Sequence, residues 1–96
     1  MATVNKIAID PDLEVQNIEL PQGTEIIGVG NRHSQIVSIT VLYHKDKNQN
    51  TFGQPILETR KLVISKPFNY VGNYKTIRYI GNFYILETEY LLFEVE

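Results

Sequence analysis

The 96-residue chain contains no cysteine and no tryptophan, and only two of its residues, Ala2 and Ala8, are alanine. Without cysteine there is no disulfide framework, no thiolate nucleophile and no cysteine zinc site. Alanine is the best helix former, so its scarcity removes support for helices. No apolar run approaches the ~18 residues of a membrane-spanning helix, and the N-terminus lacks the apolar core of a signal peptide. Neither sign of charge dominates: nine Lys and Arg against eleven Asp and Glu give a net charge of -2. That balance creates no global field to draw the chain to long DNA or RNA, or to an anionic membrane.

β-Branched residues are abundant instead: 8 Val, 12 Ile and 7 Thr, 27 in all. Their stiff side chains suit a pleated surface. The expected fold is all-β: one domain over residues 1–96, about seven short, mainly antiparallel strands in a small sandwich or partly open barrel, with little or no helix. Strands are predicted over residues 3–9, 15–20, 25–31, 35–44, 56–65, 77–86 and 90–95, separated by turn signals. Asp10-Pro11-Asp12 and Pro21-Gln22-Gly23 are two of these signals, Asn31-Arg32-His33-Ser34 reads as a hairpin connection, and Glu87-Thr88-Glu89 turns the chain near its end. Val37, Ile39, Val41 and Tyr43 share one face of the clearest strand. Residues 46–55 form a polar loop, and residues 68–76 loop or make one short helical turn. Gly81 marks a bulge or a close backbone approach within its strand. Residues 36–42 and 56–64 are apolar on both faces, more than a lone small sandwich must cover, which predicts a homo-oligomer.

The charges are segregated. Residues 1–31 carry a net -4, residues 32–78 a net +6 and residues 79–96 a net -4. Either neighbouring strands carry complementary charges on their solvent faces, or a basic rim receives an anionic ligand, with the acidic termini elsewhere.

Most motifs with chemical potential fail on context. Gly28-Val29-Gly30 begins like a dinucleotide fingerprint, but position 33 is His33 and a strand follows where a helix is needed. His33 and His44 have no nucleophile elbow and no helical ligand spacing, so neither a triad nor a metal site is built. Glu87, Glu89, Glu94 and Glu96 read as solvated charges at sheet edges and not as general acids. No enzyme and no cofactor are expected. The stretch Ser65 to Tyr84 stands out: Tyr70, Tyr74 and Tyr79 alternate with Lys66, Lys75 and Arg78, and Arg60 and Lys61 precede them. Aromatic rings can stack a base and Lys or Arg can neutralise phosphate, although tyrosines are also ordinary packing residues of sheets. With Arg32 reaching in from the hairpin, these nine residues are the predicted ligand-binding set.

The chain also resembles a family of small phage-encoded proteins of about this length, a domain of unknown function. The resemblance is carried by Gln16-Asn17-Ile18-Glu19-Leu20-Pro21-Gln22-Gly23, by Glu25-Ile26-Ile27-Gly28-Val29, by Glu58-Thr59-Arg60, by Tyr79-Ile80-Gly81-Asn82-Phe83 and by Leu91-Leu92-Phe93-Glu94-Val95-Glu96. It covers most of the chain. Ser65-Lys66-Pro67-Phe68 replaces a Gly-Thr-Gly-His type turn of the relatives, so no role of that turn carries over. The resemblance implies an origin and not a chemistry: a non-enzymatic viral protein in the host bacterial cytoplasm. Small phage proteins of this kind antagonise bacterial immunity, either as sponges that sequester an anionic cyclic nucleotide signal or as direct inhibitors of a host defence protein. A structural or morphogenesis accessory role is the third alternative.

Overall fold

The computed structural model describes residues 2–31, 36–44 and 52–96. The predicted hairpin residues Arg32, His33 and Ser34, and most of the predicted polar loop, lie outside the described residues. Among the described residues seven strands follow one another: β1 (Ala2–Ile9), β2 (Val15–Pro21), β3 (Glu25–Gly30), β4 (Val37–His44), β5 (Leu57–Ser65), β6 (Ile77–Ile85) and β7 (Thr88–Val95). Among the described residues there is no helix, and residues 68–76 contain only a turn and bends. The strands form two antiparallel sheets, ordered β1-β4-β3 and β2-β5-β7-β6. They do not close into a barrel, so of the two predicted architectures the sandwich is the one observed.

Alternation builds the core. Val37, Ile39 and Val41 turn inward from β4, beside Ile9 of β1 and Ile26 of β3. Leu20, Leu62, Ile64, Phe83 and Leu92 meet them from the four-stranded sheet. The Phe83 and Tyr90 rings stack at 5.5 Å between centroids. The turn at Asp10 closes as its residue type demands: the Asp12 amide donates to Asp10 Oδ1 at 2.9 Å.

Two irregularities join the sheets along one side. β3 bulges between Ile26 and Gly28, which turns Ile27 out to solvent. β6 bulges between Tyr79 and Gly81, as the glycine predicted. A Cβ on Gly81 would lie 3.0 Å from Val29 Cγ1, so the bulge is also a close approach between the sheets. The Asn31 side-chain Nδ2 donates to the Tyr84 carbonyl across the same seam.

β5 and β6 both run antiparallel to β7, which lies between them. They are therefore parallel to each other, and residues 66–76 must return the chain along the length of the sheet. This strap crosses the outer face. Lys61 Nζ stands 5.9 Å from the centre of the Tyr74 ring, and the Lys75 and Thr76 amides donate to the Glu96 carbonyl at 2.6 and 3.1 Å. The strap explains why Val63 and Val95, on the face opposite the core, are buried. β5 is covered on both faces from Leu62 to Ile64, as its mixed parity predicted, while Leu57 at its start is exposed.

Two expectations need correction. The last turn lies at Leu86-Glu87, with Thr88 and Glu89 already in β7. Glu94 is not at an edge, because β7 is an interior strand of its sheet.

Candidate functional site

The nine predicted residues do not converge. Arg60 and Arg78 share the inward face with Leu62 and Phe83 and close one end of the sandwich. Arg60 grips Glu94 through two nitrogens, Nε to Oε2 and NH2 to Oε1, the latter at 3.0 Å. Its NH1 donates at 2.8 Å to the carbonyl of Thr24, in the turn that carries the chain from β2 to β3 of the other sheet. Both side chains of the pair are 14% exposed. Arg78 donates to the Ile26 carbonyl and lies 3.8 Å from Glu94. The hydrogen bonds that Arg60 donates to Glu94 hold its guanidinium above its already high ordinary pKa, against the opposing pull of burial. These cations are engaged in joining the two sheets. Complementary charges from two oppositely charged segments of the chain meet here, but on the inward face and not on the solvent faces where the first reading of the segregation put them.

Lys61, Tyr74 and Lys75 gather at the same end but on the outer face. Lys61 lies over the Tyr74 ring, and Tyr74, itself part of the strap, is half-buried. Tyr79 projects from β6 further along that face, tilted against Phe93 at 5.6 Å. Beyond it, the Asn82 side chain and the Tyr84 hydroxyl donate to Glu89 at 2.7 and 3.2 Å. The negative charge of Glu89, and then its hydrogen bond, push the Tyr84 phenol above its ordinary pKa. Arg32 lies outside the described residues.

Lys66 and Tyr70 stand at the opposite end, where the strap leaves β5. A turn forms as the Asn69 amide donates to the Lys66 carbonyl at 3.1 Å. The Ile64 amide donates to the Glu14 carbonyl at 2.8 Å, which brings the β1–β2 turn alongside. Between turn and strap runs an open groove of about 410 Å³, within the usual size of a small-molecule site. Lys66, Asn69, Tyr70 and Ser65 line one wall, and Asp12 and Glu14 the other. Tyr70 is 81% exposed, so its ring is open to stacking. Lys66 Nζ lies 6.0 Å from the centre of the Tyr90 ring.

Sequence reasoning missed Asp12 and Glu14 as groove residues, because their position follows from the long-range pairing of β2 with β5. The inward turn of Arg60 did leave a signal, since it has the same parity as Leu62 and Ile64. Among the described residues no group of three His, Cys, Asp or Glu could hold a metal ion. No helix among them is long and apolar enough to cross a membrane. Comparison with known protein families, with curated proteins and with solved structures finds no match.

Proposed function

We propose that the chain is a non-catalytic binding protein that sequesters an anionic nucleotide in the groove between the β1–β2 turn and the strap. The observation that carries this reading is the shared wall of Lys66, Asn69 and Tyr70 around a volume of about 410 Å³. The Tyr70 ring stacks the base, and Lys66 neutralises a phosphate. Asp12 and Glu14 accept hydrogen bonds from the amino group of the base or from sugar hydroxyls. The acids make the groove selective: an anion without such donors gains Lys66 but meets two unsatisfied carboxylates. Taken with the phage resemblance, the ligand is a cyclic nucleotide signal of bacterial immunity, and the protein acts in the host cytoplasm by holding that signal unchanged.

Calorimetric titration with cyclic di- and trinucleotides and nucleoside monophosphates tests the reading. Binding at micromolar ligand should weaken at least tenfold in Lys66→Ala and in Tyr70→Ala, while Lys75→Ala leaves it unaltered. No heat across the panel would sink the proposal, and a ligand consumed in the titration would overturn its non-catalytic character.

One observation favours a second reading, direct inhibition of a host defence protein. Phe68 and Leu86 project from neighbouring turns at this same end, 107% and 84% exposed, and both have positive φ. Apolar anchors held out at a conformational cost suit a protein interface.

A further inference from the structure

Among the described residues the sandwich has four edge strands, and three of them carry a bulge or a proline that guards against pairing with another chain. β3 and β6 are both bulged and lie against each other. β2 carries Glu19 and ends in Pro21, which has no amide to donate. β1 carries a charge too, Lys6, but has neither a bulge nor a proline. Its eight residues, Ala2 to Ile9, pair with β4 in one unbroken register from Ala2↔His44 to Ile9↔Val37. It contains no Pro, no Gly and a single charge, Lys6. Alternate residues of its outer side therefore present backbone donors and acceptors to solvent, a template for another strand.

We infer that β1 pairs with β1 of a second copy of this chain, antiparallel about a two-fold axis, to make one continuous six-stranded sheet. The occupant follows from the strand's own pattern. Thr3, Asn5, Ile7 and Ile9 lie on the core side, opposite Tyr43, Val41, Ile39 and Val37, while Val4 and Lys6 lie on the outer side. A two-fold keeps the two core sides together only when it passes through a residue, since a half-step register inverts the partner. An axis through Lys6 sets two ammonium groups directly opposite each other, which is destabilising. An axis through Asn5 sets amide against amide, pairs Thr3 with Ile7 and Val4 with Lys6 of the second copy, and keeps the lysines apart. Lys6 thus selects the register without blocking the edge. The arrangement is a closed, isologous dimer. It does not depend on the nucleotide groove.

Sedimentation velocity of ligand-free protein tests the mass, and single cysteines test the register, because a chain without cysteine can form a disulfide only between copies. The expected species is twice 11.1 kDa. Asn5→Cys should cross-link on mild oxidation, since directly paired strand residues fall within disulfide range. Ala8→Cys, opposite Ala2 of the partner and about 20 Å from its own mate at ~3.3 Å per residue, should not. Val4→Lys sets lysine against Lys6 twice and should yield a monomer with an unchanged β-sheet circular dichroism spectrum. A wild-type monomer at 100 μM, ready cross-linking through Ala8→Cys, or a dimer that survives Val4→Lys would each overturn the assignment.

Discussion

Phe68 and Leu86 occupy positions where the backbone asks for glycine. Phe68, at φ 68°, is the third residue of the Lys66–Asn69 turn, after Pro67, the place that needs positive φ in a type II turn. Leu86 and Glu87, at φ 49° and 69°, form the two-residue tip of the β6–β7 hairpin, the pattern that favours Asn-Gly. Left-handed φ costs an L-residue about 1–2 kcal/mol, and neither Phe68 nor Leu86 recovers that by burial. Glycine would remove the crowding but enlarge the unfolded ensemble by about 0.4–1 kcal/mol. Phe68→Gly and Leu86→Gly should therefore each stabilise the fold by about 0.5–1 kcal/mol. In thermal unfolding that is a rise of about 2–8 °C for a domain of this size. Phe68→Ala, which keeps the crowded Cβ, should leave the midpoint where it is. A lower midpoint in the glycine variants would give these side chains a structural role and remove the reason to see them as anchors for a partner.

The strap over residues 66–76 is the element on which the outer face depends, and its fixed point is Gly72 against Tyr74. Gly72 has φ 138°, and a Cβ there would lie 2.5 Å from the Tyr74 ring. Gly72→Ala should thus lift Tyr74, loosen its contact with Lys61 and uncover Val63 and Val95, at a cost of about 1–3 kcal/mol. Hydrogen exchange should quicken over residues 66–76 and stay unchanged in β1 and β4; uniform protection would show that the strap is held elsewhere. The strands were legible from alternation and turn chemistry, because Val37-x-Ile39-x-Val41 and Asp10-Pro11-Asp12 act locally. The strap was not, since only the insertion of β7 between β5 and β6 makes residues 66–76 a crossover. The same gap affected the site. A basic, tyrosine-rich stretch was visible, but not that Arg60 and Arg78 would turn inward to Glu94. Lys66 and Tyr70 end up at the far end of the β5–β7 ladder from Lys61 and Tyr74 for the same reason. Parity alone could have paired Glu94 with Leu92 and Arg60 with Leu62, but the parities of two strands meet only once their register is known.

At the scale of the whole molecule, the last strand is an interior one. β7 supplies Leu92, fully buried, to the core and hydrogen-bonds to both β5 and β6. It also supplies Glu94, which receives Arg60, while the Glu96 carbonyl receives the end of the strap. Without it, β5 loses its inner neighbour, β6 has no partner in its own sheet, Arg78 loses the carboxylate of Glu94, and Arg60 keeps only Glu58 as a counter-ion, 3.2 Å away on its own strand. A chain ended after Tyr90 therefore cannot keep a smaller sandwich: it should lack the β-sheet circular dichroism signal and show no cooperative thermal transition. Leu92→Ala, which keeps the backbone ladder and leaves a cavity, should fold but lose about 2–5 kcal/mol. The intact domain has to bring distant segments together before any four-stranded core exists, so its refolding should be a single exponential on the millisecond-to-second scale typical of sandwiches. Stopped-flow circular dichroism and denaturant melts of the three chains measure this directly. A truncated chain that still unfolds cooperatively would mean that β1 to β4 and the β2–β5 pair form a stable core of their own, and that β7 closes a structure already made.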